Sequence, residues 1–169
     1  MLSLGVHSQC FQPTIFKWNS QFWFTVHIGA AVDSYYEYLV KGSALLQKPE
    51  LMKMFVRSRE AIEQYMNHDD WHFWVSMKGG GVTLPVFQSL EAFWPGLLSL
   101  AGDNMAAMKS IHNYHQVWKQ YGFLPEFYNV PQNGASHKRE GYPLRPELIE
   151  SAMYLYKVAF IYYVSNFIN

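Results

Sequence analysis

Apolar positions in this chain fall into helical runs of two kinds, and the kinds alternate. The run 34–47 (SYYEYLVKGSALLQ) is apolar on most sides, with Glu37 and Lys41 as its only charges. Asp33 or Ser34 can cap it, and Glu37, three residues after Ser34, completes a capping-box pattern. Pro49 and Glu50 open a second run. Leu51, Met54, Phe55, Ser58, Ile62 and Tyr65 share one face of it, with Lys53, Arg57, Glu60 and Gln64 opposite, which is the pattern of a one-faced helix. Residues 86–100 (VFQSLEAFWPGLLSL) read as a third helix begun by Pro85 and apolar nearly all round. Gly102 and Asp103 end it and cap a fourth, one-faced helix carrying Met105, Met108, Ile111 and Trp118. A last, mostly apolar helix begins at Pro146. Between the second and third helices, W-H-F-W-V-S-M, the turn Gly79–Gly81 and a short return strand predict a β-hairpin near residues 71–84.

Helices that are apolar all round belong inside, and one-faced helices belong on an outer shell. The order therefore predicts an all-α domain of helical hairpins, inner and outer, set in a ring or solenoid. The starts of the inner helices repeat: Asp33 to Ser89 is 56 residues and Ser89 to Glu147 is 58. Residues 1–26 show no clear period.

Composition changes this picture in one respect. Only 15% of residues are charged, against 18% aromatic with six Trp, whereas roughly 25% charged is usual for a globular domain. That predicts a piece of a larger assembly, or a ligand that stacks on rings. Net charge is zero without a basic run, which argues against a nucleic-acid partner. Cys10 is the single cysteine, so neither an intrachain disulfide nor a cysteine metal site is expected. No apolar run approaches the roughly 20 residues of a membrane span, and the first residues lack the positive charge of a signal peptide.

The chemistry concentrates at helix starts. Asp33 and Glu147 open two inner helices, and Glu126 sits in an L-P-E loop. Separated carboxylates around a sugar-sized pocket are what glycoside hydrolysis requires: one protonates the leaving oxygen while another activates water from the opposite face. Within Y-P-L-R-P-E-L-I-E-S (Tyr142–Ser151), Arg145 precedes Pro146, and Glu147 and Glu150 stand in the first helical turn. Two readings stay open: a dipole-matched helix start, or a carboxylate beside a guanidinium in a cleft. Tyr35, Tyr36, Phe93, Trp94, Phe123, Phe127 and Tyr128 offer flat faces to a sugar. His112 and His115 lie three apart without an evident third metal ligand, Asp69–Asp70 read as a polar turn, and Gly79–Gly81 lacks the lysine and context of a phosphate loop.

Four segments carry a resemblance: GAAVDSYYEYLVK (29–41), FQSLEAFWPGL (87–97), VWKQYGFLPEFYN (117–129) and KREGYPLRPELIESAMYLY (138–156). They are similar to glycoside hydrolase family 47, the α-1,2-mannosidases, and most closely to its ER degradation-enhancing α-mannosidase-like (EDEM) branch. The resemblance covers 29–157, leaving 1–28 and 158–169 unmatched. It implies a partial (α/α)7 barrel and inverting, calcium-dependent hydrolysis of terminal α-1,2-mannose on high-mannose N-glycans. It further implies the ER lumen as the place, and misfolded glycoproteins bound for degradation as the partners. Asp33, Glu126 and Glu147 are the implied catalytic carboxylates, with Glu147 activating water. Arg145, Phe93 and Glu150 are the implied substrate-binding residues. An upstream catalytic Glu and a downstream calcium-ligating Thr have no counterpart here. The sequence departs from the pattern at Ala31, where the branch usually has Gly, at Ser89, which replaces a His of the processing enzymes, and at His27. A family mannosidase, a catalytically silent mannose-binding module, and a plain helical-repeat interaction protein are the competing expectations. The isolated chain is expected to be a fragment that neither closes a barrel nor hydrolyses mannose.

Overall fold

The computed structural model describes residues 25–168, with side chains to residue 160. The expectation for residues 1–24 lies outside that range. Five α-helices are described: α1 (Asp33–Leu45), α2 (Pro49–Tyr65), α3 (Trp94–Leu100), α4 (Asn104–Tyr121) and α5 (Glu147–Ile168). α3 packs against α1, α4 and α5, and α2 packs on α1. Of the three helices expected inside, α1 and α5 keep one side open, with Tyr38 and Tyr156 72% and 69% exposed. The inner helix α3 is buried along nearly its whole length.

All-α is too simple a description. Three small antiparallel sheets connect the helices. The first joins β1 (Thr25–Val26), β4 (Trp74–Ser76) and β5 (Val82–Leu84) in the order β1-β4-β5. It contains the expected hairpin and adds a strand from the N-terminal side. The second pairs β2 (Asn67–His68) with β3 (Trp71–His72). Asp69 and Asp70 form its two-residue turn, both with positive φ (51° and 65°), as a tight hairpin of matching twist requires.

The third sheet overturns an expectation. Residues 86–88 do not begin a helix: β6 (Val86–Gln88) pairs with β7 (Phe127–Asn129), which pairs with β8 (Gly134–Ala135). The loop after α4 offers its backbone to this segment, and a buried ladder satisfies more main-chain groups than an extra helical turn. A 3-10 turn, Ser89–Phe93, then leads into α3. The expected capping box is also displaced. Val32 rather than Ser34 flanks α1, with no side-chain cap, and Glu37 turns to Lys41 at 2.5 Å instead. A reciprocal capping box does exist, between Gln88 and Glu91 at the 3-10 turn. Asp103 caps α4 as expected, its carboxylate accepting from the Ala106 amide at 3.0 Å, and it also pairs with Arg59 of α2. Pro146 flanks α5, and its carbonyl accepts from the Glu150 amide at 3.0 Å.

The larger core gathers around Trp94, which is fully buried and meets Tyr36, Phe55, Phe93 and His72 ring to ring. A second cluster under the third sheet holds Phe87, Ala92, Tyr114, Val117, Leu124, Tyr128 and Leu148. Phe87 and Tyr114 stack there at 4.3 Å. Burying a ring or aliphatic chain of this size stabilises by about 1.5–3 kcal/mol, and these two clusters fix the helix starts relative to one another. Not every apolar face is covered: Ile149 and Tyr156 of α5 are 67% and 69% exposed. No described helix is long and apolar enough to cross a membrane.

Candidate functional site

The start of α1 is set by a tight turn. Gly29 accepts hydrogen bonds from the amides of Val32 and Asp33 at 3.1 and 3.0 Å, and Ala31 takes a left-handed conformation, φ 72°. The Gln88 carboxamide oxygen anchors this turn, accepting from the Ala30 amide at 3.3 Å. Gly29 leaves room for this contact: a Cβ there would lie 2.5 Å from Gln88 Oε1 and 3.0 Å from Glu91 Cγ, so the Gln88 carboxamide would have to shift. Asp33 is thereby held at the amide-rich, positive end of α1.

Beneath that turn lies Glu91, wholly buried. Its carboxyl accepts from the Trp74 indole N–H at 2.9 Å and from the Gln88 amide at 3.2 Å. Burial pushes its pKa up to about 8, against which the two hydrogen bonds act only in part. Trp74, so held, stacks on His27 with ring centroids 4.1 Å apart and meets Phe127 edge-on at 5.9 Å.

The Glu126 loop is stitched in from two sides. Its carbonyl accepts from the Ser89 amide and its own amide donates to the Gly141 carbonyl, both at 3.1 Å. The segment after Gly141 then brings Arg145 to Glu126, Nη2 to Oε1 at 3.5 Å. Leu144, immediately before, is turned outward with φ 56° and 76% exposure. Backbone strain of this kind persists where surrounding structure over-determines it, and functional sites are common places for it.

Glu147 is the first residue of α5, and its Oε2 is buried without a hydrogen-bond partner. Burial raises its pKa above the ordinary carboxylate value. Its own amide and Arg145 oppose the rise, while the charges of Asp33 and Glu150 add to it. Asp33 and Glu147 are therefore within electrostatic reach although 114 positions apart in sequence. The chain brings Asp33, Glu126, Arg145 and Glu147 together from three separate segments. Three further buried polar atoms without partners belong to the same region: Arg145 Nε, Ser89 Oγ and His27 Nδ1. Native interiors leave few such groups unmatched, and a concentration of them suits a polar guest.

Other expected residues fall elsewhere. Phe93 is buried and, with Glu150, lines a small adjoining pocket shared with Glu37, Lys41 and Tyr154. Glu150 is tied there to Lys41 at 3.4 Å. Tyr36, Trp94 and Tyr128 are core residues and present no open face to a sugar. Phe123 stacks on Tyr142 at 5.2 Å. His112 bonds Gln116 and His115 stacks on Trp118, so they form no metal pair. Among the described residues no group of three or more His, Cys, Asp or Glu is arranged to hold a metal ion. The implied calcium finds no ligand set of that kind among them. Sequence reading passed over Glu91, Gln88, Trp74 and His27 as site residues. The Gln88-x-x-Glu91 spacing was the signal available for the first two.

The glycosyl hydrolase family 47 model matches residues 5–160 of this chain. ER degradation-enhancing alpha-mannosidase-like protein 2 of Mus musculus is 61% identical over 141 residues, 83% of this chain and 24% of that protein. The Homo sapiens protein of the same name matches to the same extent. Alpha-mannosidase I MNS4 of Arabidopsis thaliana is 43% identical over 130 residues, covering 77% of this chain and 21% of its own length. The chain thus spans about a quarter of the length of the curated relatives it matches.

Proposed function

The chain belongs to glycosyl hydrolase family 47, on its ER degradation-enhancing mannosidase-like branch, and we propose that it carries part of a pocket for α-1,2-linked mannose. The proposed ligand is the terminal mannose of high-mannose N-glycans on misfolded glycoproteins in the ER lumen. The reaction of the whole protein is inverting hydrolysis, with the chain's helices forming a sector of an (α/α)7 barrel. The supporting observation is the convergence of Asp33, Glu126, Arg145 and Glu147 with unmatched polar atoms turned inward.

In this reading Glu147 takes a proton from the attacking water. A carboxylate whose proton affinity is raised above the ordinary value is a better base than a surface glutamate, and burial supplies that rise. The water oxygen bonds to the anomeric carbon as the glycosidic C–O bond breaks. The departing oxygen takes a proton delivered from the Asp33 and Glu126 side, directly or through a water. Arg145 donates hydrogen bonds to the sugar and holds Glu126 in register.

Titration of the chain with α-1,2-mannobiose, followed by NMR, tests this. Saturable binding weakened by Glu147→Gln and Arg145→Ala is the expected result. Absence of binding to the wild-type chain removes the reading. A parallel assay for free mannose distinguishes turnover from binding: turnover lost on Glu147→Gln assigns catalysis to this chain alone, and binding without turnover reduces it to a recognition surface.

A further inference from the structure

We propose that His27 is a sugar-contacting residue of this pocket, presenting Nδ1 to a mannose hydroxyl beside Asp33 while Trp74 fixes the plane of its ring. The proposal rests on the mannose-pocket reading above and assigns a role to a residue outside the carboxylate set.

The position of His27 is specified from three directions. Its ring lies flat on Trp74, centroids 4.1 Å apart and planes within 16°, so the imidazole has little freedom to rotate. Trp74 in turn cannot swing, because its indole N–H is bound to the buried carboxyl of Glu91 at 2.9 Å. On the far side Trp74 meets Phe127, the residue after Glu126. His27, Trp74 and Phe127 thus form one aromatic wall running from Asp33 to the Glu126 loop.

The polar edge of the ring is unused. Nδ1 is buried and has no hydrogen-bond partner, a state that costs about 1–3 kcal/mol unless something completes it. The charge of Asp33 acts on the ring, which locates the two side chains close together, but burial is the larger influence and drives the imidazole towards its neutral form. A neutral imidazole can accept a hydrogen bond at one nitrogen or donate from it. A sugar hydroxyl, being both donor and acceptor, matches either tautomer. An anionic ligand would not suit a neutral ring beside a carboxylate. Of the other unmatched atoms, those of Ser89, Arg145 and Glu147 are groups that a hydroxyl can serve as donor or acceptor, while His72 Nε2 and Trp94 Nε1 belong to the core.

Two substitutions separate the polar edge from the stack. His27→Phe keeps a flat ring against Trp74 and deletes the nitrogen. His27→Asn keeps a hydrogen-bonding atom near the place of Nδ1 and deletes the ring. Calorimetric titration with α-1,2-mannobiose is expected to show His27→Phe binding about fivefold or more weakly, the worth of one hydrogen bond, with a melting temperature no lower than that of wild type, since the unmatched buried nitrogen is gone. His27→Asn should recover part of the loss. In the wild-type chain the His27 Cε1–H resonance should shift on adding mannobiose, a readout that stands even if a variant folds poorly. Wild-type binding with an unmoved resonance, or with His27→Phe equal to wild type, overturns the role of His27 and leaves the pocket intact. A wild-type chain that does not bind mannobiose overturns both.

Discussion

The Ser151 hydroxyl accepts a hydrogen bond from the Gly96 amide at 2.9 Å and donates one to the Ala92 carbonyl at 2.5 Å. Gly96 lies in the first turn of α3, where amides have no partner within their own helix. A side chain of α5 therefore caps α3 from outside and locks the helix that begins with Glu147 onto the core. The approach is close enough that a Cβ on Gly96 would stand 2.9 Å from Ser151 Cα. Ser151→Ala is expected to cost about 1–3 kcal/mol by leaving a buried amide unsatisfied. Gly96→Ala gains about 1 kcal/mol of helix propensity, but the clash is with backbone and wins, with a net loss of about 1–2 kcal/mol. Urea unfolding measures both, and a Gly96→Ala chain as stable as wild type would refute the locking contact.

Glu91 makes stability fall with rising pH. Its folded pKa is about 8 against an ordinary 4.5, so between those values the folded chain holds a proton that the unfolded chain has released. Stability therefore declines from about pH 4.5 to 8 and levels off above, by a few kcal/mol in all. Glu91→Gln removes this contribution, although its amide donor opposes the Gln88 N–H. The melting temperature of the variant should lie below wild type at pH 5, with the gap narrowing or reversing by pH 8. Parallel curves would show that Glu91 does not titrate in this window.

Ala31 is a residue in the wrong backbone region. At φ 72° a side chain with a Cβ is strained by roughly 1–2 kcal/mol, while glycine's extra freedom in the unfolded chain gives back about 0.5–1 kcal/mol. Ala31→Gly should stabilise the chain by about 0.5–1 kcal/mol in thermal or urea unfolding. Destabilisation by the same substitution would mean that the turn before Asp33 is not left-handed.

The helices were legible where their patterns were periodic. Lys53, Arg57, Glu60 and Gln64 opposite an apolar face announce α2, and the Asp103 cap announces α4. The segment Val86–Gln88 reads as helix because its three side chains are all buried, the polar Gln88 included, and so short a run has no period to distinguish strand from helix. Its partner, Phe127–Asn129, lies about 40 residues away in a stretch dense in turn residues. The acids could be singled out from their places at helix starts, but their mutual proximity could not, since it depends on how α1 and α5 pack about α3. Glu91 is the least visible: an acid inside an apolar helical run gives no sign that a tryptophan 17 positions earlier will lie against it.

Glu147 should report its neighbours directly. Its proton affinity is raised first by burial, with Asp33 and Glu150 adding and Arg145 subtracting. Asp33→Asn removes a negative neighbour and should lower the Glu147 pKa. Arg145→Met removes the cation and should raise it further. Because the folded value lies above the unfolded one, Glu147 destabilises the fold as pH rises through that interval. Glu147→Gln should then make the chain more stable at neutral pH while weakening mannobiose binding, the expected trade at a functional site. Carboxyl carbon shifts of Glu147, followed by NMR across pH 3–8 in the three backgrounds, measure the order. If Asp33→Asn leaves the Glu147 titration where it was, the two carboxylates do not share a pocket, and the catalytic assignment of the pair falls with it.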